Sequence, residues 1–122
     1  MQIIVDQQGD SKVAIVESSD ILIQDVQDAL DLMATVSYNH ECSKILLHKS
    51  NVAEPFFDLK TKLAGDVLQK YVNYQVKLAI VGDFAGYDSK SLKDFIYESN
   101  QGKQVFFVQD RQEALRALHS VG

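Results

Sequence analysis

"SKILLHKSNVAEPFFDLKTKLAGDVLQKYVNYQVKLAIVGDF", Ser43 to Phe84, reads as a strand, a helix and a second strand. Ile45 to Leu47 is a short, continuous apolar run, the mark of a strand covered on both faces. Leu78 to Val81 repeats that pattern and stops at Gly82. Between the two the period changes. Leu59, Leu63, Val67 and Tyr71 recur every four residues, and Ala64 and Leu68 widen the stripe, as on the buried side of a helix. Pro55, the one proline, suits the first turn of that helix, because it has no N–H to leave unpaired. Gly65 costs about 1 kcal/mol of helix propensity against alanine and would be tolerated where another backbone comes close. A strand, a helix and a strand in this succession predict a right-handed crossover between parallel neighbours.

The alternation continues on both sides. Downstream, "DSKSLKDFIYESNQG" (88–102) predicts a helix capped by Asp88 or Ser89, with Leu92, Phe95, Ile96 and Ser99 inward and Asn100 or Gly102 as terminator. "KQVFFVQ" (103–109) predicts the last strand. "DRQEALRALHSVG" (110–122) predicts a closing helix, with Asp110 and Glu113 at capping-box spacing. Upstream, "SSDILIQDVQDALDLMATVSYN" (18–39) has the helical period. Its expected inner face is Ile23, Val26, Leu30, Met33 and Ser37, and it starts between Asp20 and Asp25. "QIIVDQQGDSKVAIVE" (2–17) reads as a hairpin turning at Gly9-Asp10. The expected fold is therefore α/β, in the order ββαβαβαβα. It is a mostly parallel five-stranded sheet with an antiparallel N-terminal edge strand, one domain over residues 1–122. The expected core includes Leu30, Met33, Leu46, Leu63, Val67, Ile80, Phe95, Phe106, Leu115 and Leu118.

Composition narrows the function classes. The 122 residues are 46% apolar and 24% charged, which suits a globular chain. Seventeen acids against twelve bases leave a net charge of −5, so nucleic acid is not an expected partner. No apolar run approaches the roughly 20 residues of a membrane helix, and no leader pattern opens the chain, so no membrane partner is expected. The single cysteine, Cys42, rules out an internal disulfide and fits a reducing, cytoplasmic setting.

Two resemblances add to this reading. "DVQDALDLMATVSYN", "FFDLKTKLAGDVLQK", "KLAIVGDF" and "SKSLKDFIYESNQGKQVFFV" closely resemble a bacterial family, domain of unknown function 4180, across nearly the whole chain. That resemblance implies no activity. The element order is similar to that of the STAS domains, the anti-sigma factor antagonist type. This implies protein–protein contact, often switched by a serine phosphorylated before the helix that follows the third strand. The equivalent stretch here is Ser50-Asn51-Val52-Ala53, without the glycine of that family's pattern. Glu54 would repel a phosphate and Pro55 offers no N–H, so Ser50 is not expected to be a switch.

Candidate residues lie mostly at the carboxyl ends of the strands, where parallel sheets bind ligands. Asp83 follows Val81-Gly82 there; it is read either as an acid or base of raised pKa or as a turn aspartate. Ser50, Asn51 and Tyr87 stand beside it as ligand-binding candidates. Of Phe56 and Phe57, adjacent on a helix, one is expected inward and the other partly exposed, as a cover for a loop or as an anchor for a partner. Tyr71 and Tyr74 are expected to close a core edge with hydroxyls in water, or to form a homodimer seam. The soft ligands His40, Cys42, His48 and His119 give no metal spacing, and no glycine-flanked elbow serine starts a Ser–His–Asp triad. No cofactor is implied. Two functions follow as expectations. One is a non-enzymatic, STAS-like regulatory or protein-interaction module with an unidentified protein partner, with room for a homodimer. The other is a small-molecule binding protein or weak enzyme using the sheet edge near Asp83.

Overall fold

Gly9 takes a φ of +60° at the first of two turn positions, a conformation glycine adopts without steric cost. The chain reverses there, and β1 (Gln2–Gln8) pairs antiparallel with β2 (Ser11–Glu17). The computed structural model describes residues 1–122. After the hairpin come α1 (Val26–His40), β3 (Lys44–His48), α2 (Leu63–Asn73), β4 (Lys77–Val81), α3 (Lys90–Gln101), β5 (Val105–Val108) and α4 (Arg111–His119). The sheet runs β1-β2-β3-β4-β5, and every pair after the first is parallel. The expected α/β class, strand order and strand directions are all present. No helix is long and apolar enough to cross a membrane.

Alternate residues of each strand face opposite ways, so the sheet divides the core in two. Ala14, Val16, Ile45, Leu47, Leu78, Ile80 and Phe107 pack with residues of α1, α2 and α3. Val13, Ile15, Leu46, Ala79 and Phe106 pack with Ala114 and Leu118 of α4. Three crossovers along a sequential strand order place their helices on one face, as connections of a single hand must. Only α4, which follows the last strand, covers the other.

Asp25, Ser89 and Asp110 cap α1, α3 and α4 by accepting the N–H groups of Asp28, Leu92 and Glu113. Glu113 returns to the Gln109 N–H and Asp28 to the Gln24 N–H, so acidic side chains satisfy backbone donors just outside both helices. Gly102 ends α3.

Several expectations are corrected. The buried face of α1 is Ala29, Leu32 and Val36; Leu30 and Met33 are half-buried, and Ser37 is exposed. Ile23 lies before the helix, paired with Val52, so it does not fix the helix phase. The Tyr71 hydroxyl is not in water: it donates to the Ala29 carbonyl at 2.8 Å, tying α2 to α1, and burial pushes its pKa up. Leu46, Val67, Ile80, Phe106 and Leu118 are buried as expected, whereas Leu63, Phe95 and Leu115 are half-buried. Gly65 has nothing within 4 Å of where a Cβ would sit, so no close backbone explains it.

The largest departure follows β3. The helix expected from Pro55 begins at Leu63, and Glu54–Phe57 and Leu59–Thr61 are separate 3-10 turns. Side chains compete for the backbone here. Asp58 accepts the Lys60 N–H, the Thr61 hydroxyl lies 2.6 Å from the Pro55 carbonyl and 2.8 Å from that of Asp58, and Lys62 turns to a φ of +65°. The short turns bury both phenylalanines, Phe56 at 1% and Phe57 at 4% exposure, so neither ring is presented to a partner.

Candidate functional site

The carboxyl ends of β3 and β4 carry two long loops, and Asn51 fixes the first of them. Its side chain is fully buried. Oδ1 accepts the His48 N–H at 3.1 Å, while Nδ2 donates to the carbonyls of Ser18 at 2.8 Å and Asp20 at 2.9 Å. Its own carbonyl accepts the N–H groups of Leu22 and Ile23, and Ala53 donates back to Ile23. The loop leaving β2 is thereby zipped to the loop leaving β3. Asn51, expected as a ligand contact, is used as a strut and faces inward.

The second loop, Gly82–Ser89, is held by aromatic rings. Phe107 of β5 meets Phe84 edge-on at 5.5 Å, Phe84 lies 5.8 Å from Phe57, and Phe57 stacks on Tyr87 at 5.6 Å. This ladder runs from the core to the surface and gives Phe57 its place, with Phe56 packed edge-on against it at 5.2 Å. At its outer end the Tyr87 hydroxyl donates to the Glu54 carboxylate at 3.2 Å. Burial first, and the charge and hydrogen bond of Glu54 after it, push the Tyr87 pKa up to about 12.

Between the loops lies a cleft of about 610 Å³. Its floor includes Val52, Val81 and Gly82; His48, Lys49 and Ser50 form one wall, Asp83 and Glu54 contribute carboxylates, and the exposed Ile21 stands at the rim. Gly82 is required here by close approach. A Cβ at that position would sit 2.5 Å from Cβ of Lys49 and 3.2 Å from its Cδ. The Lys49 chain therefore lies across the end of β4, with its ammonium 4.7 Å from the centre of the Tyr87 ring. Lys49 forms no ion pair with a carboxylate of the chain. Nε2 of His48 is shielded from solvent without a hydrogen-bond partner, and the nearest carboxylate oxygen, on Glu17, is 3.7 Å away. Arg111 at the start of α4 holds the other oxygen of Glu17.

Of the residues singled out in the sequence, Ser50 and Asp83 line this cleft. Asp83 is exposed, and its Oδ1 accepts the Ala85 N–H at 3.0 Å; it is a turn aspartate and not a buried acid. Tyr87 stands behind Lys49, between the cleft and a second hollow of about 440 Å³ that it shares with Glu54. His48, Lys49 and Gly82 were not anticipated as site residues. The signal for them was weak: a histidine and a lysine ending a buried strand, and a glycine ending the next. Cys42 is buried, with its thiol 3.3 Å from the His40 carbonyl, and burial pushes its pKa up.

Comparison with curated proteins gives no match. A family model described as "Domain of unknown function (DUF4180)" matches residues 8–118. With that match spanning β2 to β5 and every helix except the last residue of α4, the chain belongs to the DUF4180 family.

Proposed function

We propose that the chain is a small-molecule binding protein whose ligand occupies the carboxyl-edge cleft. The observation that carries this is Lys49: a lysine laid over a glycine, held against an aromatic face, and left without a carboxylate partner inside a cleft. An ammonium so placed is positioned in advance for an anionic group. Asp83 and Glu54 offer negative charge across the same space, so the favoured ligand is a small polar metabolite carrying both a carboxylate and an amino group. No nucleophile paired to a base lines the cleft, which supports binding over turnover there. The test is thermal unfolding with free α-amino acids and small dicarboxylates added singly. A ligand at a hundred times its Kd stabilises by about 2.7 kcal/mol. A shift abolished by Lys49→Met supports the reading, and no shift with any of these compounds refutes it.

A second reading is favoured by β1. It is a seven-residue strand at the sheet edge, with Ile4 43% and Val5 39% exposed. Unpaired strand edges recruit further strands. In this reading the chain is a STAS-like regulatory or protein-interaction module of a bacterial cytoplasm, and β1 pairs with a protein partner or a second copy. In this reading Ser50 is not the switch, since the α-helix whose free N–H groups would hold a phosphate begins only at Leu63. Sedimentation of the native chain and of Ile4→Lys tests the homodimer: a dimer that the substitution dissolves supports it, and a monomer at every concentration refutes it.

A further inference from the structure

At the opposite edge of the sheet, four side chains from four elements form one hydrogen-bonded line. Asp6 comes from β1, Ser11 from the start of β2, Lys44 from the start of β3 and His119 from the end of α4. Nε2 of His119 lies 2.7 Å from Oδ2 of Asp6, and Nδ1 lies 2.7 Å from Oγ of Ser11. Nζ of Lys44 donates to the same Oγ at 2.8 Å and to the Val121 carbonyl at 2.6 Å. The His119 side chain is 4% exposed and Lys44 is 6% exposed.

The partners set the direction of every proton. An ammonium only donates and a carboxylate only accepts. With His119 a neutral imidazole, the Nε2 hydrogen goes to Asp6, Nδ1 is left to accept the Ser11 hydroxyl hydrogen, and Lys44 occupies a lone pair of Oγ. The imidazole is then a base toward the hydroxyl, oriented by a carboxylate on its far nitrogen. Those are the roles of a Ser–His–Asp triad, with the two ring nitrogens exchanged; triads are recognised by geometry and role, not by sequence context. Lys44 adds a positive charge beside the attacking oxygen, where negative charge builds as its proton leaves. The serine sits after a hairpin turn and not on an elbow, so no local motif marks it.

Ser11 is also reachable. It and Lys44 line a hollow of about 270 Å³ at this edge, together with Asp10, Lys12, Glu41 and Ser43 and no apolar side chain. Lys12 and Glu41 are paired at 3.7 Å. A space of that size and polarity admits a short, polar acyl group and not a fatty chain.

We propose that Ser11 is the nucleophile of a second site, which transfers a small polar acyl group from an ester. As Oγ bonds to the ester carbonyl carbon, the hydroxyl proton passes to Nδ1 of His119. The carbonyl π pair moves onto oxygen, then reforms the double bond as the bond to the alcohol breaks, and His119 returns the proton to the departing alkoxide. Water repeats the sequence on the acyl-serine and releases the acid. This site is independent of the carboxyl-edge cleft, and neither stands or falls with the other.

The test is covalent labelling of the full chain by a small alkyl fluorophosphonate, followed by intact mass and peptide mapping. The expected result is one added phosphonyl group on Ser11, absent from Ser11→Ala. A general base typically contributes about 10²-fold or more, so labelling of His119→Gln, with its fold verified by circular dichroism, should slow about a hundredfold. Should that variant not fold, Asp6→Asn makes the comparison at a half-exposed position, with slower labelling expected. No label on Ser11 of the wild-type chain, or equal labelling rates in a folded variant, overturns the proposal and leaves the line as a strut for α4.

Discussion

Replacing Asn51 tests whether one buried amide holds the carboxyl edge together. Its side chain makes three hydrogen bonds, one accepted and two donated, that join the loops after β2 and β3. Each is worth about 1 kcal/mol net, with more lost where a partner stays buried and unpaired. Ser18 is half-buried and Asp20 exposed, so water recovers part of their loss. Asn51→Ala is therefore expected to cost about 2–3 kcal/mol, measured by urea unfolding. Asn51→Asp separates hydrogen bonding from size. The carboxylate keeps the acceptor toward His48 but turns two donors into oxygens facing two carbonyls. The folded state then favours the protonated acid, raising its pKa above the unfolded value of about 3.9. Folded chains hold more protons than unfolded ones above that pH, so stability falls as pH rises. Asn51→Asp should be less stable than Asn51→Ala at pH 7 and approach it near pH 4. If Asn51→Asp matches wild type at pH 7, the strut reasoning is wrong.

Gly82→Ala should cost about 1–3 kcal/mol, because the new methyl overlaps Lys49 and the lysine chain must leave β4; an unchanged urea midpoint contradicts the close approach. Ile80→Ala should cost about 2–5 kcal/mol as a fully buried truncation, and Leu63→Ala clearly less, since Leu63 is only half-buried; equal losses contradict the observed phase of α2. Tyr71 and Tyr87 stay neutral in the fold beyond the unfolded tyrosine pKa of about 10. Their contribution is intact below that value and falls as pH rises through 10 toward 12. Stability measured across this window should drop less steeply in Tyr87→Phe than in wild type.

The sheet was legible because its strands are continuous apolar runs and its hairpin turn needs a glycine. Those signals are local, and three helical connections leave little freedom in topology. Phase was harder to read. Ile23 looks like the first inward residue of α1, yet it belongs to a bridge with Val52 that only the fold creates. The segment after β3 misled for a similar reason. Its four-residue spacing is helical, but Asp58 and Thr61 bind backbone groups and break it into short turns. The place of Ser50 and Asp83 beside the cleft was legible because strand ends are predictable positions. Lys49 was not, because its role depends on Gly82 and Tyr87, both more than thirty residues away. The line from Asp6 to His119 spans nearly the whole chain and had no sequence pattern at all.

The central claim, that the carboxyl-edge cleft binds a small polar metabolite through Lys49, is tested most directly by following backbone amide resonances as α-amino acids and small dicarboxylates are titrated singly. Saturable shifts are expected at Lys49, Ser50, Gly82 and Asp83 with at least one compound, absent in Lys49→Met. Spectra in which those four amides stay fixed at millimolar concentrations of every compound contradict it.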